Sequence, residues 1–282
     1  MELNELKDLY KPVVFISRGG QKMVYRGKNS SGESIVIKLI NSDKDLRVLQ
    51  EIEILKDLDI KNVPKILDTG TVYDSSIDEY KLYIIEECID GESLRQKLSS
   101  GNILSLTEAC NLLETLLQIE VELENKGIIH RDIKPENIIV GNDNKIYLLD
   151  FGIAKILGGT SLTLTSAASG PHTPGYAPQE LVHNIKLDQD NRLDLFQIGV
   201  TVYESCTGTN PFSEKAHPDR SMIDLYTMTY VPEQLNMVGD TKGLFGQLIS
   251  ILMAKVPSRR PGSAKEALRY FNIVKASLIL EV

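Results

Sequence analysis

The sequence predicts an α+β fold in two parts: a small β-rich region over residues 1–89 and a larger, mainly helical region over residues 90–282. Three observations carry this. Up to about residue 86 the chain consists largely of short β-branched runs separated by glycine and asparagine turns. Beyond residue 90 the apolar residues recur at helical spacing. With 282 residues, 42% of them apolar and 25% charged, the chain can bury a substantial core.

The elements follow in order. Val13–Ser17, Val24–Gly27 and Ser34–Ile40 read as strands, parted by Gly19-Gly20 and by Asn29-Ser30-Ser31-Gly32. Ser42 could cap a helix over about 43–58, striped by Leu46, Leu49, Ile52, Leu55 and Leu58. Pro64–Thr71 and Tyr80–Glu86 return to strand patterning. Helices are expected over Thr107–Lys126, Asp194–Cys206, Leu244–Ala254 and Ser263–Lys275, the last opened by a capping box, Ser263 to Glu266.

Composition excludes several classes. A net charge of -8 does not favour nucleic acid or an anionic membrane as partner. Cys88, Cys110 and Cys206 have no metal-site spacing and suit a reducing compartment. The acidic start lacks the apolar run of a signal peptide. No stretch reaches the roughly 18 apolar residues of a membrane span. A cytoplasmic protein is the expectation.

The most informative stretch is His130-Arg131-Asp132-Ile133-Lys134-Pro135-Glu136-Asn137, set between two apolar runs. It holds a carboxylate, an amine and an amide within six positions. Phosphoryl transfer to a hydroxyl needs these groups: a carboxylate to orient the nucleophile, a cation near the moving phosphate, and an oxygen ligand for a divalent metal. A further strand, Asn144–Leu149, leads into Asp150-Phe151-Gly152, which offers a second hard oxygen donor of the kind that holds Mg²⁺.

These runs resemble the catalytic loop and metal-binding motif of the eukaryotic-like (Hanks-type) protein kinase superfamily, in its serine/threonine form. The resemblance covers essentially the whole chain and implies a two-lobed fold and an ATP- and Mg²⁺-dependent protein serine/threonine kinase. By it, Asp132 orients the acceptor hydroxyl and takes its proton. Lys134 neutralises charge on the moving phosphoryl group, and Asn137 and Asp150 bind two Mg²⁺. Ile35-Val36-Ile37-Lys38 looks like the strand carrying the phosphate-binding lysine. Glu51 would pair with Lys38 from the helix that follows; Glu53 sits roughly 200° round that helix. The Gly19-Gly20-Gln21-Lys22 loop and the compact helical part look more like bacterial or phage-borne members than animal ones.

Two departures bear on ATP. Aligned on Val24, the segment Ile16-Ser17-Arg18-Gly19-Gly20-Gln21-Lys22-Met23 has only Gly19 at a family glycine position; Ser17 and Lys22 fill the others. Either Lys22 brings an extra cation to the phosphates, or these side chains hold the loop open and weaken ATP binding. With Lys38, Glu51, Asp132, Asn137 and Asp150 all present, activity is the expectation. The second departure is Glu86, which falls at the so-called gatekeeper position. A buried carboxylate there needs a partner. Lys38 is the candidate, in competition with Glu51. Backbone atoms of Glu87 and Ile89 would then hold the adenine edge.

The residues between Asp150 and Glu180 resemble an activation segment. Thr163, Thr165 and Ser166 are its phosphorylation candidates, modified in trans by a self-associating second copy, with Arg131 and Lys155 to hold the phosphate. Thr173 falls where serine/threonine kinases keep a threonine against the aspartate and lysine. Glu180 is expected to pair with Arg260, and Asp194 to anchor the loop backbone. Phe212 looks like core, while His183 and His217 read as surface histidines. Two rivals remain: a pseudokinase that binds nucleotide or docks partners, and a small-molecule kinase.

Overall fold

A computed structural model describes residues 1–19, 22–41, 56, 59–150, 155–156, 172–183, 185, 189–213 and 222–280. The chain divides into two compact units, Met1–Asp90 and Gly91–Val282.

The first unit is built on an antiparallel five-stranded sheet in the order β1-β2-β3-β5-β4. Its strands are β1 (Val14–Gly19), β2 (Lys22–Lys28), β3 (Ser34–Asn41), β4 (Ile66–Asp74) and β5 (Glu79–Glu87). Strands β2, β3 and β5 run one or two residues beyond the expected bounds, because cross-strand pairing carries the ladders into the flanking turn residues, whereas β1 and β4 start one and two residues later than expected and end two and three residues later. The two faces divide by the period-2 rule. Ile35, Ile37, Leu39, Tyr83 and Ile85 pack on one face against Leu3 and Leu6. Those two leucines belong to a helix absent from the expected elements, α1 (Leu3–Leu9). On the other face Ile40, Leu82 and Ile84 form a smaller cluster. The helix expected over 43–58, with Glu51, lies outside the described residues except for Lys56, which is helical.

In the second unit, α2 (Leu94–Ser99) and α3 (Leu106–Asn125) each open on a serine capping box: Ser93 with Gln96, and Ser105 with Glu108. Helix α3 buries Leu112, Leu113, Leu116, Leu117 and Leu123. A three-residue strand, β6 (Gly91–Ser93), joins β8 (Ile138–Gly141) and β9 (Ile146–Leu148) in a sheet of order β6-β8-β9. Asn144, at φ 59°, supplies the left-handed residue that closes the β8–β9 turn. Flanking β8 and β9 in the chain, β7 (Ile128–Ile129) pairs antiparallel with β10 (Lys155–Ile156). Helices α4 (Gln179–Val182), α5 (Arg192–Thr207), α6 (Ile223–Thr229), α7 (Leu244–Leu252) and α8 (Ala264–Lys275) complete the unit.

Helix α5 is buried nearly all round and ends on Gly208 in the left-handed region, at φ 73°. Its Phe196 stacks on Phe212, and both rings are fully buried. Helix α8 corrects one expectation. Ser263 caps it by accepting from the Glu266 N–H, but Glu266 does not return the bond: its carboxylate takes the Gly262 N–H and the Tyr270 hydroxyl instead.

Candidate active site

The segment between β7 and β8 is held from below by α5. Asp194 lies in the first turn of that helix, fully buried, and its carboxylate accepts the backbone N–H of His130 at 2.6 Å and of Arg131 at 2.7 Å. Gln197, one turn on, takes the Ile133 N–H at 2.9 Å and donates to the Arg131 carbonyl at 2.8 Å. Thr201 donates to the Ile133 carbonyl. Three side chains at helical spacing thus fix five consecutive peptide groups, from Ile129–His130 to Ile133–Lys134. They hold Arg131 at φ 70°, a left-handed conformation that costs a non-glycine residue about 1–3 kcal/mol. The His130 ring completes the frame against the Leu149 carbonyl at 3.0 Å.

This frame sets Asp132 in a net of donors. One carboxylate oxygen accepts from Lys134 Nζ and from the Thr173 hydroxyl, both at 2.8 Å. The other accepts from the Asn137 amide at 2.9 Å, and the same amide also reaches the Asp132 carbonyl at 2.8 Å. Lys134 closes the ring by donating to Thr173 at 2.7 Å. Asp132, Lys134, Asn137 and Thr173 are therefore one constellation, though Thr173 lies far along the chain.

Asp150 follows Leu149, whose N–H donates to the Asn137 carbonyl at 2.7 Å, so the two candidate metal ligands sit on linked backbone. Asp150 adopts φ 58°, a conformation aspartate tolerates better than most residues. Because the Asn137 amide nitrogen is committed to Asp132, its side-chain oxygen is the atom left for a cation. One carboxylate and one amide oxygen are the hard donors Mg²⁺ accepts when phosphate oxygens complete its shell. The residues present therefore fit a magnesium nucleotide.

Within the first unit, Lys38 stands on β3 beside Glu86 on β5. Val36 faces Glu86 in the ladder, so Lys38 is its diagonal neighbour on the same face. Nζ and Oε1 are 2.5 Å apart, and both side chains are about nine-tenths buried. Lys38 thus has Glu86 as a partner; Glu51 lies outside the described residues. Glu87 gives its N–H to the Lys65 carbonyl, so its own carbonyl is what it can offer a ligand. Of the other residues read onto the nucleotide, Ser17 pairs with Val24 and Gly19 with Lys22, while a register shift falls at Ile16. The ladder therefore runs through the positions of Ser17 and Lys22. Ile89 is partly exposed. Thr163, Thr165 and Ser166 lie outside the described residues, as does His217; His183 is exposed.

Further from the loop, Glu180 and Arg260 form a buried ion pair at 2.5 Å. The arginine also donates to the carbonyls of Ala254, Lys255 and Arg192. With this geometry in place, comparison with known proteins decides the family. A family model described as protein kinase domain matches residues 10–271. The chain belongs to the protein kinase family.

This kinase chain is 29% identical over 260 residues to a probable myosin light chain kinase of Dictyostelium discoideum, a match covering 88% of the chain and 63% of that protein. It is 31% identical over 219 residues to a probable serine/threonine-protein kinase of Lactococcus lactis, covering 73% and 32%. A serine/threonine-protein kinase of Saccharomyces cerevisiae is 31% identical over 212 residues, covering 74% and 19%. The kinase chain thus spans less than two-thirds of each of these relatives.

Several groups escaped the sequence reading. Gln197 was recoverable, since it lies three residues after Asp194 on the same helix face. Gln189, which accepts from Arg131 at 2.7 Å, gave no local signal. Neither did Arg95, whose partners are 41, 81 and 109 residues away.

Proposed function

We propose that this kinase chain is an ATP- and Mg²⁺-dependent protein serine/threonine kinase that transfers the γ-phosphate to hydroxyls of protein substrates. One observation carries the reading: the Asp132 carboxylate is held by Lys134, Asn137 and Thr173 at 2.8–2.9 Å. A carboxylate so pinned can orient an incoming hydroxyl and receive its proton late in a loose transition state. Lys134 lies against it and can neutralise charge on the moving group. Asn137 and Asp150 would hold the magnesium, which when bound neutralises charge on the phosphate oxygens. Lys38 would meet the phosphates, and the backbone of Glu87 and Ile89 the adenine edge.

Autophosphorylation at Thr163, Thr165 or Ser166, in trans between copies, belongs to the same proposal. Arg131 supports it: its guanidinium is largely buried and its Nε has no hydrogen-bond partner among the described residues. The free cysteines support a reducing, cytoplasmic setting. Among the described residues no helix is long and apolar enough to cross a membrane.

A second reading, a nucleotide-binding or partner-docking module without turnover, is favoured by the Lys38–Glu86 pair, which ties up the phosphate-binding cation. Purified protein with labelled ATP and Mg²⁺, beside Asp132→Ala, separates the two. The kinase reading expects label on protein and a rate lowered by about 10²–10⁴-fold in the variant. Equal, background-level label in both would leave the binding module.

A further inference from the structure

Arg95 projects from α2, and each of its three guanidinium nitrogens donates to a different residue outside that helix. Nε donates to Glu136 at 2.7 Å, one terminal nitrogen to Glu204 at 2.7 Å, and the other to the Tyr176 hydroxyl at 2.7 Å. Tyr176 in turn donates to Glu204. Two of the partners are near neighbours along the chain of residues that hold Asp132. Glu136 follows Lys134 on the turn Pro135–Asn137, and Tyr176 comes three residues after Thr173, which touches Asp132. A polypeptide presenting a hydroxyl to Asp132 would run close to this part of the chain.

The charges do not balance. Glu136 and Glu204 bring two carboxylates to one guanidinium. Glu204 is only 5% exposed, so it demands a cation and a donor. Glu136 and Arg95 are 45% and 31% exposed, which leaves the outer edge of the pair open to solvent and to a substrate. A guanidinium from an incoming peptide would find there what Arg95 finds: carboxylates in bonding positions and a phenol.

We propose that Arg95 is a specificity-determining residue: it occupies from within the seat that a basic side chain of a protein substrate would take beside the acceptor hydroxyl. The kinase accordingly gains nothing from an arginine near the acceptor serine or threonine, and loss of Arg95 converts it to an arginine-selecting enzyme. This rests on the reading that the substrate is a protein.

The test reads binding without turnover, so a catalytically dead protein would count against the kinase reading and leave this one standing. Fluorescent peptides with alanine at the acceptor position, and a single arginine walked through the flanking positions, are titrated onto wild type, Arg95→Ala, Arg95→Met and Arg95→Lys. Wild type and Arg95→Lys should bind arginine peptides no better than their alanine counterparts. Arg95→Ala and Arg95→Met should gain about tenfold for arginine at one position, and Glu204→Gln added to either should erase the gain. Arg95→Met keeps the aliphatic stem against its neighbours should Arg95→Ala fail to fold. Selection of arginine by the wild type overturns the proposal; so does a folded Arg95→Met that shows none. An arginine that only braces the fold would move the melting temperature and leave peptide selection unchanged.

Discussion

At the scale of single residues, the pairing of Lys38 with Glu86 bears most directly on nucleotide binding. The two charges are about nine-tenths buried and 2.5 Å apart. Removing one charge from such a pair strands the other, which is costly in a dry setting. Glu86→Gln removes one buried counter-charge of Lys38 and should therefore lower the stability of the nucleotide-free protein. A bound triphosphate would then restore a counter-charge. With Glu86 no longer competing for Lys38, the variant should bind the triphosphate more tightly, and a lower Kd means a larger ligand-induced stabilisation. Glu86→Gln should melt lower than wild type without ATP, and MgATP should raise its melting temperature by more than it raises wild type's. Equal ligand-induced shifts in a thermal denaturation assay would show that Glu86 does not compete with phosphate for Lys38. That Asp132, Lys134 and Asn137 stand together was legible because they fall within one short loop, while Asp150 was reached from a second motif. The Lys38–Glu86 pair was half legible. The sequence named Glu86 as a buried acid in need of a partner; that Lys38 reaches it depends on the strand register.

At the scale of elements, what could be read depended on whether the signal was local. Helix α3 was found to within a residue at each end because it carries a leucine stripe at helical spacing. Helix α1 was missed. At seven residues it is too short to show a period, and only its packing of Leu3 and Leu6 on the sheet makes it a helix worth forming. Ser263 and Glu266 had the spacing of a full capping box, yet nearer partners took the glutamate, an outcome set by competition rather than by spacing. The pair Glu180–Arg260 was expected from the two motifs that hold it. It joins α4 to the loop before α8, with side-chain exposures of 1% and 0%. Glu180→Gln removes the charge while keeping the shape, and leaves the guanidinium dependent on three carbonyls. It should cost about 3–5 kcal/mol, a large share of the roughly 5–15 kcal/mol that holds a domain. Urea unfolding of the variant would measure it; a loss below about 1 kcal/mol would mean that the carbonyls alone satisfy Arg260.

At the scale of the whole molecule, the frame beneath the catalytic loop predicts how stability responds to pH. Glu120 on α3 is fully buried; one carboxylate oxygen accepts from Asn191 at 3.0 Å, and the other has no partner among the described residues. Burial, and then the neighbouring charge of Asp194, push its pKa well up. Burial also raises Asp194, against the opposing pull of the two loop N–H groups it accepts. Those two short bonds make Asp194 the better seat for the charge, so Glu120 holds the proton. An unfolded glutamate ionises near pH ~4.3. Above that the folded state binds a proton the unfolded state has released, so stability falls as pH rises. The Glu120 contribution is complete below the unfolded pKa and is lost progressively toward the raised folded one. Asp143, held down by its hydrogen bond from Lys145, works in the opposite sense and is the same in wild type and variant. Glu120→Gln keeps the acceptor for Asn191 and cannot ionise. Its stability relative to wild type should be near zero around pH 4 and should climb by about 1.4 kcal/mol for each pH unit until Glu120 ionises in the folded protein. Urea titrations of both proteins across that range would show the two curves diverging toward alkaline pH. Parallel curves would mean that Glu120 is ionised in the folded protein, and that Asn191 and the surrounding backbone stabilise two buried carboxylates side by side.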